Sequence, residues 1–136
     1  MRRALSLLTC ASALSTALAT RAAPDDLQLF LLIGQSNMAG RGAIEARDKM
    51  PHPRVFALTK DMAWVPASDP LHFHTPAIEG VGLGSTFGRV VADADLDAVI
   101  GLVPAARGSS SLDEWQPGGK LYSNAVARTR EAMKHG

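Results

Sequence analysis

Leu27-Gln28-Leu29-Phe30-Leu31-Leu32-Ile33-Gly34 is the stretch of sequence that decides the fold, because a run that is apolar almost throughout ends abruptly at a glycine. A short, continuous apolar run of this kind is typical of a central strand in a parallel sheet, covered on both faces. A second run, Ala98-Val99-Ile100-Gly101-Leu102-Val103-Pro104, also leads into a polar loop. We therefore expect both runs to be strands of one parallel sheet.

Weaker patterns lie between and after these strands. Residues 35–54 show little periodicity and predict a loop with at most one helical turn, whereas Arg54–Leu58 predicts a short strand with which Ala63–Val65 could pair. Residues 66–84 are rich in proline and glycine and predict irregular structure of a length that is often functional.

Two segments have helical spacing. Ser85–Ala94 predicts a helix with an apolar side made of Phe87, Val90, Val91 and Ala94. The final segment has Tyr122, Val126, Thr129 and Met133 on one side and Arg128, Arg130, Glu131 and Lys134 on the others.

The order strand, helix, strand, helix predicts an α/β domain with a parallel sheet and right-handed crossovers. Ligands of such sheets bind beyond the carboxyl ends of the strands. The loops that begin at Gly34 and Ala105 follow the two best strands. A functional site is therefore expected where these two loops meet.

The N-terminus has the plan of a secretory signal peptide. Met1-Arg2-Arg3 is basic, Ala4–Ala19 is uncharged and mostly apolar, and Ala17-Leu18-Ala19 offers small residues for cleavage. A membrane anchor is the alternative, but a spanning helix needs roughly 20 predominantly apolar residues. We expect residues 1–23 to be a signal peptide, residues 24–136 to form the domain, and the protein to be secreted or periplasmic.

Composition excludes several classes of function. The net charge of +1 gives no indication of nucleic acid or of an anionic membrane surface as a partner. Cys10 is the one cysteine and falls within the expected signal peptide, which leaves no thiol for disulfides, catalysis or metal binding. No spacing of metal ligands occurs, so we expect neither a metal nor an organic cofactor.

Ser36, two residues after Gly34, is the candidate nucleophile. Serine attacks an ester only when a base removes its proton and hydrogen-bond donors receive the oxyanion. A serine at the exit of a buried strand could meet free backbone N–H groups there. A phosphate-binding loop is disfavoured because its glycine patterns are missing, and the G-x-S-x-G elbow is excluded by Met38. A plain polar turn remains an alternative.

The string Gly34-Gln35-Ser36-Asn37-Met38-Ala39-Gly40-Arg41-Gly42 closely resembles the nucleophile block of the sialate O-acetylesterase and acetylxylan esterase family. This family is a branch of the SGNH (GDSL-like) hydrolases. Residues 64–72 are similar to its middle loop and residues 80–87 to the start of its second helix. Residues 103–115 look like its second catalytic block. The resemblance extends from about Leu27 to the end of the chain.

The resemblance implies a three-layer α/β/α, flavodoxin-like fold, of which this chain holds the N-terminal half. It implies hydrolysis of acetyl esters on carbohydrates through an acyl-enzyme on Ser36, with no cofactor. The backbone N–H groups of Ser36 and Gly108 match the oxyanion donors, although Ser109 stands where many relatives have a second glycine. The residues expected to support the site are Gly34, Gln35, Asn37, Met38, Ser109 and Trp115.

The general base is the missing part. Asp69-Pro70-Leu71-His72 spells the Asp-x-x-His pattern of the family, but it lies in the middle loop, whereas the family's pair lies near the C-terminal end of the domain. The resemblance therefore implies a base and acid beyond Gly136, and a 136-residue chain that is inactive alone. We also expect its last strand, residues 98–104, to be an unpaired edge.

Two other functions stay open. A GDSL-type lipase or thioesterase would have an apolar groove at the same site, although a polar loop at Gly108 counts against it. A non-catalytic carbohydrate-binding remnant would fail to react with a serine-directed organophosphonate.

Overall fold

The structure, a computed structural model, describes residues 25–135. The expected signal peptide, residues 1–23, and Cys10 lie outside this range, so export of the protein stays a prediction. No helix between residues 25 and 135 has the length and apolar character needed to cross a membrane.

The secondary structure follows the predicted order. Within residues 25–135 the strands are β1 (Gln28–Leu32), β2 (Val55–Leu58), β3 (Trp64–Pro66) and β4 (Ile100–Pro104), and the α-helices are α1 (Ser36–Ala39), α2 (Leu83–Ala94) and α3 (Lys120–Ala132). Two short 3₁₀ turns cover Ala46–Lys49 and Leu112–Trp115. All five segments whose bounds were predicted end within two residues of the observed bounds.

The sheet is mostly parallel and is covered by helices on both faces. Its strand order is β1-β4-β2-β3, with β4 parallel to both neighbours and β3 antiparallel to β2. Ile100 and Leu102 of β4 pack on one face with Ala92 of α2, whereas Val103 packs on the other face with Ala132 of α3. The predicted three-layer α/β/α arrangement is confirmed.

The predicted positions of β1 and β4 in the sheet were wrong. Among the described residues β1 pairs with β4 alone and is an edge, so that Leu31 and Ile33 are 40% and 47% exposed. Every residue of β4 is buried, because β4 lies between β1 and β2. An apolar run indicates burial but not which strands become neighbours.

The predicted apolar side of α2 was right for Val91, which is half-buried against the core, and wrong for its other members. Phe87 and Val90 are exposed, whereas the buried residues are Gly84, Ser85, Gly88 and Ala92. A β-carbon at Gly84 would lie 2.6 Å from Leu32 Cδ1, and one at Gly88 would lie 2.8 Å from Val55 Cγ1. The helix lies so close to the sheet that only small side chains fit between them.

In helix α3 a charged residue is buried where the prediction placed apolar ones. Its buried residues are Leu121, Ala125, Arg128 and Ala132, whereas Tyr122 and Met133 of the predicted apolar side are exposed. Arg128, predicted to face solvent, is 2% exposed. The buried side of α3 is thus built around a guanidinium group rather than around large apolar side chains.

Candidate active site

Ser36 is the first residue of α1, just beyond the carboxyl end of β1. Gly34 has φ of +134°, which favours glycine, and makes the turn between strand and helix. The Ser36 hydroxyl donates to Gln35 Oε1 at 3.3 Å, and no backbone or side-chain acceptor in residues 25–135 bonds the N–H groups of Ser36 and Asn37. Met38, on α1, is half-buried and packs against the core next to α2, which anchors the short helix.

The end of the loop after β1, residues 33–42 (the Ser36 loop), is held by close backbone contacts. Gly42 and Val81 exchange hydrogen bonds of 3.0 and 2.9 Å, and Gly80 donates to the Gly40 carbonyl. Gly40 has φ of +88°, and a β-carbon there would lie 2.4 Å from the Gly80 oxygen. A residue with a side chain at Gly40 would separate the two segments, so this glycine is required by the fold.

The loop after β4, which contains Gly108, lies against the loop that contains Ser36. Ala105 N–H donates to the Leu32 carbonyl and Arg107 N–H donates to the Gly34 carbonyl, both at 2.9 Å. In the described part of the chain, the N–H groups of Gly108 and Ser109, the next two along, donate to nothing. The loops that contain Ser36 and Gly108 are therefore joined next to Ser36, and each has backbone N–H groups without an acceptor among residues 25–135.

The far side of this second loop is fixed by side chains. Ser110 Oγ donates to the Arg107 carbonyl at 2.8 Å, and the Trp115 indole N–H donates to Ser110 Oγ at 3.1 Å. Ser109 itself is exposed and has φ of +61°. Trp115, half-buried, thus supports the loop and also presents a ring surface to the neighbouring groove.

Arg41 is a contact between the two blocks to which the sequence analysis gave no role. Its Nη1 bonds the Gly40 carbonyl, and its Nη2 lies where a β-carbon of Gly108 would be, only 2.2 Å from that position. In the sequence, only the position of Arg41 inside residues 34–42, the string that resembles the family's nucleophile block, could have indicated such a role. Neither Arg41 nor the exposed Arg107 forms a salt bridge with the described residues, so the mouth of the site is cationic.

Two of the four histidines lie at the wrong end of the sheet. His52 accepts from Arg54 N–H, directly before β2, and lies 3.2 Å from Asp93. The His135 carbonyl accepts from Leu27 N–H, directly before β1. Both are at the amino ends of the parallel strands, away from Ser36.

His72 and His74 lie toward the carboxyl edge. His72 is 4% exposed, its ring interacts with the Leu32 carbonyl, and its Nε2 has no hydrogen-bond partner within residues 25–135. Asp69 does not orient it, because no hydrogen bond or salt bridge joins the two side chains within residues 25–135, and the charge of the Asp69 carboxyl is influenced instead by Ser85 and Gly82 at the start of α2. Asp69 and His72 are therefore not an acid–base pair in this structure.

Burial controls the charge of these groups. Burial, together with His74, Arg128 and Arg41 nearby, lowers the pKa of His72 to about 4. Burial likewise lowers the pKa of His74 and raises that of Asp69. His72 is thus a neutral imidazole at neutral pH.

A pH-dependent stability follows from His72. Its pKa is about 4 when folded and about 6.5 when unfolded. The unfolded chain binds a proton first, so the free energy of unfolding falls as the pH drops from 6.5 to 4, by at most about 3 kcal/mol. We expect His72→Gln to flatten this slope in urea unfolding at pH 7 and pH 4.5. His52→Gln, at the amino end of β2, is the control and should keep it; an unchanged slope in His72→Gln would contradict the assignment.

A groove of about 700 Å³ runs beside the site, along the free edge of β1. It begins at Gly34 and Gln35, is bounded by Trp115, and has α3 as its floor. Its lining is mostly apolar and includes Leu31, Ile33, Leu112, Tyr122 and Val126. The described residues contain no group of His, Cys, Asp and Glu side chains arranged to hold a metal ion.

Comparison with known proteins gives the family and the fold. The family described as "Carbohydrate esterase, sialic acid-specific acetylesterase" matches residues 26–135. Over 127 residues the chain is 39% identical to "Probable carbohydrate esterase At4g34215" of Arabidopsis thaliana, covering 80% of this chain and 49% of that protein.

Two solved structures are similar. That of the Arabidopsis thaliana protein AT4G34215 has a TM-score of 0.71 at 38% identity, covering 78% of this chain and 51% of its own. The crystal structure of NanS has a TM-score of 0.64 at 23% identity, covering 83% of this chain and 50% of its own, which shows the shared fold alone. The chain spans about half the length of the curated relative. With its family match over residues 26–135, the chain belongs to the sialic acid-specific acetylesterase family of carbohydrate esterases.

Proposed function

We propose that this protein is a carbohydrate O-acetyl esterase, of the sialate O-acetylesterase or acetylxylan esterase type, that works through an acyl-enzyme on Ser36. One observation carries the proposal. The Arg107 N–H bond to the Gly34 carbonyl holds the two matched loops together, while the N–H groups of Ser36 and Gly108 remain unpaired among the described residues. Such groups are suited to receive negative charge that develops next to the serine.

The geometry supports a two-step hydrolysis. The Ser36 oxygen attacks the acetyl carbonyl while a base takes its proton, and the carbonyl oxygen becomes an oxyanion bonded by the N–H groups of Ser36 and Gly108. Collapse breaks the ester bond, and the proton passes to the departing sugar oxygen. Water then attacks acetyl-Ser36 while the base takes its proton; the bond between the acyl carbon and the Ser36 oxygen breaks, acetate leaves, and the proton returns to the Ser36 oxygen. The Ser109 N–H is the alternative second donor to the oxyanion.

We further propose that the base comes from outside residues 25–135. Within that range neither an imidazole nor a carboxylate bonds the Ser36 hydroxyl, whose one partner is Gln35. His72 is buried with a lowered pKa, which makes it a weak base. We therefore expect the 136-residue chain on its own to hydrolyse acetyl esters very slowly.

The apolar groove favours a second candidate, a GDSL-type lipase or thioesterase. Its lining of Leu31, Ile33 and Val126 could bind an acyl chain. However, the groove follows the unpaired edge of β1, and exposed apolar surface along an edge strand also suits the packing of further polypeptide. The groove alone does not identify an acyl site.

Acyl-chain length separates the two candidates. With the protein as its gene encodes it, we expect kcat/KM for p-nitrophenyl acetate to exceed that for the octanoate by at least about tenfold, and acetylated sugars to be deacetylated. Leu112→Asp, which places a charge in the groove, should leave acetate hydrolysis unchanged. A preference for octanoate that Leu112→Asp abolishes would favour the lipase instead.

A further inference from the structure

Arg128 is the largest fully buried side chain in the described part of the chain. Its guanidinium donates from Nε to the Pro104 carbonyl at 2.7 Å, and from Nη2 to the carbonyls of Leu58 and Thr59 at 2.7 and 3.0 Å. The ring of Phe73, from the middle loop, lies 4.7 Å from its centre. One side chain of α3 thus joins the carboxyl ends of β2 and β4 to the middle loop.

This arrangement is an expensive way to fill a core. No carboxylate among residues 25–135 forms a salt bridge with Arg128. A buried charge without a counter-charge is costly, and an apolar side chain of similar volume often stabilises a core at least as well. The guanidinium supplies donors to the carbonyl oxygens of Pro104, Leu58 and Thr59 together, in one planar and rigid group. Its bond to Pro104 places that rigid group at the residue from which the next loop departs.

Pro104 is the residue from which the loop with Gly108 departs. In that loop, the N–H groups of Ala105 and Arg107 donate to the carbonyls of Leu32 and Gly34, at the end of β1. Arg128 holds the Pro104 carbonyl from the α3 side of the sheet. The start of the loop is therefore held between β1 and α3, which leaves little freedom in the direction of the Gly108 N–H.

We propose that Arg128 is a positioning residue for the candidate oxyanion loop, residues 105–109, and acts through the Pro104 carbonyl. It does not touch the substrate. This inference rests on the proposed function for its catalytic consequence, but its structural part can be measured without turnover.

Arg54 offers a matched control at the other end of the sheet. Its guanidinium also donates to three backbone carbonyls, that of Ala92 in the last turn of α2 and those of Asp95 and Ala98 after the helix. Arg54→Lys and Arg128→Lys each replace a planar fork by a point donor. Both substitutions should lower the melting temperature to a similar extent, but only Arg128 bonds the residue, Pro104, at which the loop with Gly108 begins.

The test uses the protein as its gene encodes it. For Arg128→Lys we expect kcat on an acetyl ester to fall by about 100-fold with KM little changed, because small misplacement of catalytic groups has effects of that size. We expect Arg54→Lys to keep kcat. Arg128→Met should lose at least as much as Arg128→Lys; if it does not fold, the lysine variant decides.

Amide hydrogen exchange gives the second readout. We expect the N–H groups of Ala105 and Arg107 to exchange faster in Arg128→Lys than in Arg54→Lys. Equal exchange in the two variants, or equal loss of kcat, would overturn the proposal. Because exchange needs no turnover, it decides on Arg128 even if the wild type proves not to hydrolyse acetyl esters, a result that would overturn the proposed function instead.

Discussion

Ser36→Ala should lower acetyl-ester turnover by several orders of magnitude in the protein as its gene encodes it, as loss of a serine nucleophile does in other hydrolases. The substitution removes one oxygen atom at the start of α1. That hydroxyl has a single weak contact, the 3.3 Å bond to Gln35, so we expect the melting temperature to change little. A large loss of kcat in a normally folded protein is therefore the expected result.

The control for this experiment is Ser123→Ala, an exposed serine on α3 whose side chain makes no hydrogen bond within residues 25–135. It should retain full turnover. Near-normal hydrolysis of p-nitrophenyl acetate by Ser36→Ala would rule out the proposed acyl-enzyme at this position.

Gly108→Pro is expected to have the second largest effect. It removes the N–H that is assigned to the oxyanion, and loss of one such donor costs about 3 kcal/mol in the transition state, or roughly 100- to 1,000-fold in kcat. KM should change less, because the charge that the N–H receives develops only in the transition state.

Gly108→Ala separates this effect from crowding. Its N–H remains, but its β-carbon would displace Arg41 Nη2, the mobile end of a long side chain. We expect alanine to lose much less activity than proline, with both proteins checked for folding by thermal unfolding. If the folded proline variant keeps full activity, Gly108 has a structural role and Ser109 N–H becomes the candidate donor. If alanine loses as much as proline, displacement of Arg41 is the cause.

The sequence was sufficient to predict most secondary-structure elements and the meeting of the two loops that follow β1 and β4. Leu27–Ile33 and Ala98–Pro104 carry strand patterns strong enough to fix two parallel strands, and their loops do meet at the carboxyl edge. Ser36 and Gly108 could be named only because the strings around them resemble a family, since spacing alone leaves many serines after strands as equal candidates. Their catalytic roles stay predictions.

The wrong predictions for α2 and α3 have a common physical cause. Hydrophobic periodicity detects large apolar side chains, but not how closely a helix approaches the sheet. Helix α2 packs through Gly84 and Gly88 because it nearly touches the sheet, so Phe87 and Val90 are on the outside. Arg128 is buried because three strand-end carbonyls solvate its charge, and nothing in a hydropathy pattern indicates such partners. Strand order likewise depends on contacts far apart in sequence.

The most direct test of the central claim is mass spectrometry after reaction with a serine-directed organophosphonate, followed by mapping of the modified peptide. The protein as its gene encodes it is treated until acetyl-ester turnover stops. We predict one phosphonyl group per chain, carried by the peptide that contains Ser36 and absent from Ser36→Ala. A label on another serine, or full acetylesterase activity with no label on Ser36, would contradict the account.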